Sequence, residues 1–445
     1  MKLLFVSLGC DKNLVDSEHM LGDLVSEGFT LCDDEEQAEV IVINTCSFIK
    51  DAMEESIQTI IDMGAYKEEG NLKALIVTGC LAQRFSDEIL EDLPEVDAIV
   101  GTNSYDEIVK TIKSVLKTKG QPMVVKKTLE GLPKDGKRVL TTGGHFAYLK
   151  IAEGCNKHCT YCAIPGIRGS FRSVPMDSLI SEAEFLASEG VKELILVAQE
   201  TTLYGVDIYG RKALTELINR LSEIDGIEWI RLLYAYPEEI NDELIDVMAT
   251  NPKVCHYIDM PIQHCNDYIL GRMGRKTNKA DILDIISRLK TAMPDMSIRT
   301  TLICGFPGET EEMHKEVLEF IKDIKFDRLG AFAYSREENT PAFDFPDQVE
   351  EVIKEKWVED VMSLQQEISK SNNEAYVGKT IKVFIEGKLP EDGVFIGRSY
   401  RDTPNVDGFV FVNSEEELAT GQFVNVEITS FDEYDLIGDI DNEFT

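Results

Sequence analysis

The sequence predicts an α/β protein in three parts: an N-terminal parallel α/β domain, a central partial (β/α)6 barrel and a small C-terminal antiparallel β-barrel of the OB-like kind. Three observations carry this. Residues 1–118 alternate short apolar runs with amphipathic stretches, residues 146–372 repeat a strand–helix unit about six times, and residues 376–445 pack five short strands between turn residues.

In the first segment the strand candidates are Lys2–Leu8, Val40–Thr45, Ala74–Thr78 and Asp97–Val100. Helical patterns fall at about Ser17–Glu27, Asp51–Met63, Ala82–Asp92 and Tyr105–Leu116. Short connections between them argue for parallel strands. Residues 119–145, with Gly-Gln-Pro, Gly-Leu-Pro-Lys-Asp-Gly and Thr-Thr-Gly-Gly, read as a linker. The central strands are expected near Phe146–Ala152, Lys192–Ala198, Trp229–Tyr234, Tyr257–Pro261, Ser297–Ile303 and Arg328–Tyr334, with a long final helix from about Val349 to Asn372. Six units fall short of the eight that close a complete barrel, so a side gap is expected where a large substrate could enter. The last segment offers strands at Thr380–Glu386, Val394–Tyr400, Gly408–Val412, Phe423–Ser430 and Asp435–Ile440.

Ten cysteines in 445 residues are too few and too unevenly spaced for a disulfide scaffold. They point to a reducing compartment, and the protein is expected to be soluble and cytoplasmic. The opening Met1–Cys10 is too short an apolar run for a secretory or lipoprotein signal and reads as a first strand. No apolar stretch reaches the length needed to span a membrane. The formal net charge is −36, and each segment is acidic: 9 basic against 24 acidic side chains in residues 1–118, 31 against 42 in 119–375, and 5 against 15 in 376–445. Such a balance disfavours a broad phosphate-binding surface and suits a basic protein partner.

The segment Glu153-Gly154-Cys155-Asn156-Lys157-His158-Cys159-Thr160-Tyr161-Cys162 carries Cys-x3-Cys-x2-Cys immediately after the first barrel strand. Barrel enzymes place their chemistry on that face. Three thiolates within eight residues can wrap one cubane iron–sulfur cluster and leave one iron open. A zinc knuckle completed by His158 is the competing reading, although zinc sites more often use Cys-x2-Cys pairs. A second trio is less local. Cys10, Cys46 and Cys80 each follow a predicted strand, and in a parallel sheet those strand ends share one edge, where ligands bind. One such cysteine alone would read as a small buried residue; three at equivalent positions read as ligands. Cys32, Cys255, Cys265 and Cys304 show no such pattern and are taken as packing residues.

The cysteine loop with its partial barrel resembles the radical S-adenosylmethionine superfamily. The opening Ser7-Leu8-Gly9-Cys10-Asp11-Lys12-Asn13-Leu14-Val15-Asp16-Ser17-Glu18 is similar to the methylthiotransferases within it, and most of all to the RimO type. Relatives that modify tRNA usually carry Gln-Met-Asn after this cysteine, where Lys12-Asn13 stands here. Asp11 replaces a usual Pro, and Val174 a usual Arg; neither touches a cysteine. The resemblance spans the chain and implies a cluster domain (1–118), a radical barrel (146–372) and a TRAM domain (376–445).

That resemblance implies two [4Fe–4S] clusters, on Cys155, Cys159 and Cys162 and on Cys10, Cys46 and Cys80, with S-adenosylmethionine and an electron donor. It implies a transferase that adds a methylthio group to the β-carbon of an aspartate in the twelfth protein of the small ribosomal subunit. One S-adenosylmethionine would methylate a sulfur on the N-terminal cluster, and a second would be cleaved reductively at the barrel cluster, its radical removing a hydrogen from the aspartate. Tyr161 beside the adenine, Gln199 in Ala198-Gln199-Glu200-Thr201 near the methionine amino group, and Arg299 near its carboxylate are the implied cofactor contacts. A packed tyrosine, a solvated loop and a structural salt bridge are equally open readings of the three. The turn Gly305–Glu309 could lie beneath the cofactor, while His264 reads as a hydrogen-bonded wall residue. The alternative is a tRNA methylthiotransferase acting on a modified adenosine, which would use the same six cysteines. Residues 427–445 hold seven acidic side chains and no Lys or Arg, which weighs against RNA. A non-catalytic zinc module is the rival from another class.

Overall fold

The computed structural model describes residues 1–47, 49–118, 120–133, 136–390 and 393–441. Two compact units result. The first comprises Met1–Thr141, Lys150–Val174 and Ser335–Phe343; the second comprises Thr142–Leu149, Pro175–Tyr334 and Asp344–Thr445.

The first unit is built on a six-stranded parallel sheet: β1 (Lys2–Ser7), β2 (Thr30–Leu31), β3 (Val40–Thr45), β4 (Ala74–Thr78), β5 (Ala98–Val100) and β6 (Met123–Val125), in the order β2-β1-β3-β4-β5-β6. β3 and β4 are buried at every residue, as a strand covered on both faces must be. Val40, Val42, Ala74 and Ile76 pack with Met20, Leu24 and Ile112. Their neighbours Ile41, Ile43, Leu75 and Val77 pack with Ile60 and Leu81. The alternation is the two-residue period of the strand sorted onto two helical layers.

Two expectations need correction here. The segment read as a linker supplies β6, because Met123-Val124-Val125 is β-branched enough to extend the sheet but too short to register as a pattern. Farther along it, Arg138 is buried against Glu18, at 2.9 Å from Nε and 2.6 Å from Nη2. Within that segment, Lys119, Lys134 and Asp135 lie outside the described residues. The first helix also begins earlier than expected, spanning Asp11–Ser26 with Cys10 as its N-cap. Its side chain makes no capping hydrogen bond, so the usual start signal is missing.

The second unit carries β7 (Phe146–Lys150, its last residue counted with the first unit), β10 (Glu193–Val197), β11 (Trp229–Leu232), β12 (Val254–Asp259), β13 (Ser297–Cys304) and β14 (Arg328–Ala333) in one unclosed sheet ordered β7-β10-β11-β12-β13-β14. The strands from β10 to β14 run parallel. The intervening pair β8 (Ala152–Glu153) and β9 (Arg172–Ser173) belongs to the first unit and brackets the cysteine loop. The final helix spans Glu351–Glu374.

A closed five-stranded barrel follows: β15 (Thr380–Lys388), β16 (Val394–Ser399), β17 (Val410–Asn413), β18 (Phe423–Phe431) and β19 (Leu436–Ile440), ordered β15-β16-β17-β19-β18. It is not wholly antiparallel: β17 and β19 run parallel. An odd number of strands cannot close with alternating directions throughout, so one pair must be parallel. Glu391, Asp392 and residues 442–445 of this segment lie outside the described residues.

This barrel caps the N-terminal ends of the central strands. Glu193, at the start of β10, receives Arg231 at 2.7 Å and Arg398 at 2.6 Å, and all three side chains are fully buried. Burial alone would raise the Glu193 pKa, but the two guanidiniums more than offset it and hold the carboxyl below its usual range. Tyr257 donates to Asp407 at 2.7 Å, Arg328 pairs with Asp402, and Phe384 and Phe423 stack with centroids 4.4 Å apart beside Trp229. Among the described residues, no helix is long and apolar enough to cross a membrane.

Candidate metal centres

In the N-terminal sheet, Ser7, Asn44 and Thr78 stand side by side in register on β1, β3 and β4. Cys10, Cys46 and Cys80 follow them directly, so three adjacent strand ends deliver three thiols to one edge. Cys46 and Cys80 are buried; Cys10 is exposed. The turns are tight. Gly9 has φ +92°, and a Cβ there would meet Cys46 Sγ at 3.1 Å. Gly79 also has φ +92°, and its Cβ would strike Asn44 Oδ1 at 2.3 Å. Only glycine fits either place.

Asn13 ties the three ends together. Its amide donates to Leu8 O at 3.0 Å and Thr45 O at 2.9 Å, and its Oδ1 lies 3.8 Å from Cys80 Sγ. Asn44 donates back to Asn13 O and to Ser17 Oγ, both at 2.9 Å. Ser56 Oγ accepts from Cys46 N and donates to Cys46 O, each at 3.0 Å. Burial pushes the Cys80 thiol up to about 12, against the pull of the Arg168 guanidinium and with the Cys10 and Cys46 thiols adding to the rise. Such a thiol loses its proton to a metal rather than to water.

The second triad lies on the loop between β8 and β9, in the same compact unit. Cys155 and Cys159 are buried and Cys162 is half-buried. Cys155 N donates to Gly169 O at 3.1 Å, Cys162 N to Cys159 O at 3.0 Å, and Lys157 N lies 3.4 Å from Cys155 Sγ. His158 takes a left-handed φ of 51° to turn the loop. Burial pushes the Cys162 thiol up to about 12, with Ile164 N–H opposing and the two neighbouring thiols adding.

A charged cluster joins the two triads, and no local signal in the sequence announces it. Arg168 Nη1 reaches Asp16 at 2.7 Å and Glu153 at 3.2 Å; its Nη2 reaches Asn13 Oδ1 at 2.5 Å and Cys80 Sγ at 3.7 Å. Lys150 bonds both Asp16 and Glu153. All four ionic side chains are buried.

The remaining candidates are more dispersed. Tyr161 is half-buried in the loop of the first unit. Gln199 follows β10 in the second unit, and its buried Oε1 has no hydrogen-bond partner among the described residues. Glu200 beside it is buried and accepts from Thr202 N at 2.9 Å. Arg299 pairs with Asp259 at 2.9 Å and Asp407 at 3.4 Å. Glu309 Oε2 accepts from Gly305 N at 2.6 Å and Phe306 N at 3.1 Å, closing that turn, and its Oε1 stands 3.3 Å from buried His264. Cys255, Cys265 and Cys304 are buried packing thiols, and Cys32 is half-buried.

Each triad offers three cysteine sulfurs in tightly turned backbone with nearby N–H donors, which is the donor set of an iron–sulfur cluster. Among the described residues, no three His, Cys, Asp or Glu side chains close on a point where a single metal ion would sit. A cubane binds each protein sulfur through a different iron.

Residues 2–101 match the uncharacterized protein family UPF0004, residues 149–321 the radical SAM superfamily, and residues 377–440 the TRAM domain. The chain is 56% identical over 439 residues to the ribosomal protein uS12 methylthiotransferase RimO of Lachnoclostridium phytofermentans, covering 98% of this chain and 99% of the relative. It is 51% identical over 449 residues to the RimO of Acetivibrio thermocellus, covering 99% of each. Among solved structures, the radical S-adenosylmethionine methyltransferase TsrM of Kitasatospora setae, with cobalamin and a [4Fe–4S] cluster bound, superposes with a TM-score of 0.57 at 14% identity, over 77% of this chain and 73% of that one. The cobalamin-dependent enzyme OxsB gives 0.52 at 13% identity, over 83% of this chain and 56% of that one. These two likenesses are of fold. The near-complete coverage by close relatives settles the family: the chain belongs to the RimO family of radical S-adenosylmethionine methylthiotransferases.

Proposed function

We propose that this chain adds a methylthio group to the β-carbon of an aspartate in ribosomal protein uS12. Cys155, Cys159 and Cys162 hold one [4Fe–4S] cluster beside S-adenosylmethionine, and Cys10, Cys46 and Cys80 hold the other. The observation that carries this reading is the presence of two separate cysteine triads in one compact unit, joined through Arg168. When bound, the clusters and S-adenosylmethionine supply reductive radical formation and the sulfur-containing group.

The chain's own residues orient and shield. Cys46 and Cys80 are sealed from water, while exposed Cys10 leaves the N-terminal triad open on one side for a polypeptide to approach. Asn13 holds the three strand ends at fixed spacing, so the triad is formed before any ligand arrives. Tyr161 and Gln199 are the S-adenosylmethionine contacts we favour, Gln199 because its Oε1 is buried and has no partner among the described residues. Arg299 is already engaged by two carboxylates and would have to exchange one to take that role.

The functional division follows: residues 1–118 for the N-terminal cluster, 146–372 for radical chemistry, and 376–445 as the TRAM domain. A net charge of −36 fits a basic ribosomal protein as substrate; the reaction also calls for an electron donor as second partner, with the cytoplasm as the place where both are met. The test is product analysis. Reconstituted enzyme with S-adenosylmethionine, reductant and either uS12 or tRNA should yield methylthio-aspartate in uS12. Methylthiolated tRNA beside unmodified uS12 would overturn the assignment.

A further inference from the structure

Arg168 ends the short helix Ile164–Arg168 that leaves the Cys155–Cys162 loop, yet one arm of its guanidinium lies 3.7 Å from Cys80 Sγ of the other triad. The side chain is 2% exposed. We propose that Arg168 is a positioning residue that sets the electronic poise of the cluster on Cys10, Cys46 and Cys80, donating a hydrogen bond to the Cys80 sulfur from a scaffold anchored on the radical loop. The inference rests on those three cysteines being cluster ligands.

Charge balance supports it. Two buried cations, Lys150 and Arg168, face two buried carboxylates, Asp16 and Glu153. The ionic account is therefore closed through Nη1 alone. The Nη2 arm is left over; it sits on Asn13 Oδ1, which steers it toward the sulfur. Hydrogen bonds to cluster sulfurs favour the more electron-rich state and raise the reduction potential. A guanidinium can serve carboxylates and sulfur at once because its fork is rigid; a lysine ammonium is a single point charge. The anchoring is two-sided. Glu153 precedes the cysteine loop and Arg168 follows it, while Thr102 Oγ1, just past β5, donates to Ile167 O at 2.8 Å. The segment that carries one triad thus supplies the donor that tunes the other.

The test uses the full chain with Cys155, Cys159 and Cys162 replaced by Ala, so that only the N-terminal cluster remains, at about four irons per chain. Arg168→Lys and Arg168→Gln are then compared with the parent by EPR-monitored redox titration. We expect iron to be retained and the midpoint potential to move to more negative values, further for Gln than for Lys. In the reciprocal background, with Cys10, Cys46 and Cys80 replaced, Arg168→Lys should leave the potential of the barrel-loop cluster unmoved. An unmoved N-terminal potential, an equal shift of both clusters, or loss of iron in both Arg168 variants would each overturn the proposal, the last assigning Arg168 to folding alone. If Cys80→Ala in the first background kept its cluster unchanged, the ligand assignment itself would fall instead.

Discussion

Cys155, Cys159 and Cys162 share one loop, turned by local backbone hydrogen bonds; Cys10, Cys46 and Cys80 come from three strands and meet only when the sheet has formed. The same donor set is reached by local geometry in one case and by tertiary structure in the other. A loop needs few long-range contacts to present its thiols, so a cluster bound there should tolerate damage elsewhere. The sheet-edge triad depends on register, on Asn13 bridging residues 32 and 67 positions away, and on glycines that let adjacent strand ends crowd together. Its cluster should be the first casualty of any loss of order in the first unit.

The largest expected effect separates the two jobs. Cys159→Ala should abolish both 5′-deoxyadenosine formation and methylthiolation. Cys46→Ala should spare 5′-deoxyadenosine and stop methylthiolation. Chromatography of the nucleoside product against mass spectrometry of uS12 checks this, and identical behaviour of the two variants would erase the distinction. Next comes Glu18→Gln, which takes the Glu18 carboxylate away from buried Arg138; breaking such a pair costs about 3–5 kcal/mol. Denaturant unfolding should show a loss of that size, with iron lost first from the N-terminal triad. A change below about 1 kcal/mol, the range of a surface pair, would make residues 136–141 a passive connection. The smallest effect compares two glycines of similar φ. Gly28→Ala meets open space and should cost only backbone strain, about 1–3 kcal/mol. Gly79→Ala adds a collision with Thr45 O at 2.4 Å and should cost measurably more. Equal melting temperatures for the two would show that the strand ends near Cys80 are not crowded in solution.

The loop triad could be read from spacing because all its information lies within eight residues. The strand-end triad could be read because β3 and β4 are unbroken apolar runs whose ends are plain. Arg168 could not: its partners lie 155 and 88 positions away, and nothing local distinguishes it from a solvated arginine. Strand β6 escaped because three residues carry no periodicity. The parallel β17–β19 pair follows from closure with five strands, a constraint on the whole barrel rather than on any segment. Arg299 was legible only as a choice between a cofactor contact and a structural salt bridge; its ion pairs with Asp259 and Asp407 depend on residues 40 and more positions away.

The buried contact of Glu193 with Arg398 spans 205 positions of chain. At 5–20 residues per second of synthesis, Arg398 emerges about 10–40 s after Glu193. Through that interval the base of the central sheet holds a carboxylate whose second guanidinium has not yet been made. The nascent chain therefore finishes its central unit only when the C-terminal barrel arrives, and a ribosome that stalls late leaves the N-terminal ends of the central strands uncapped.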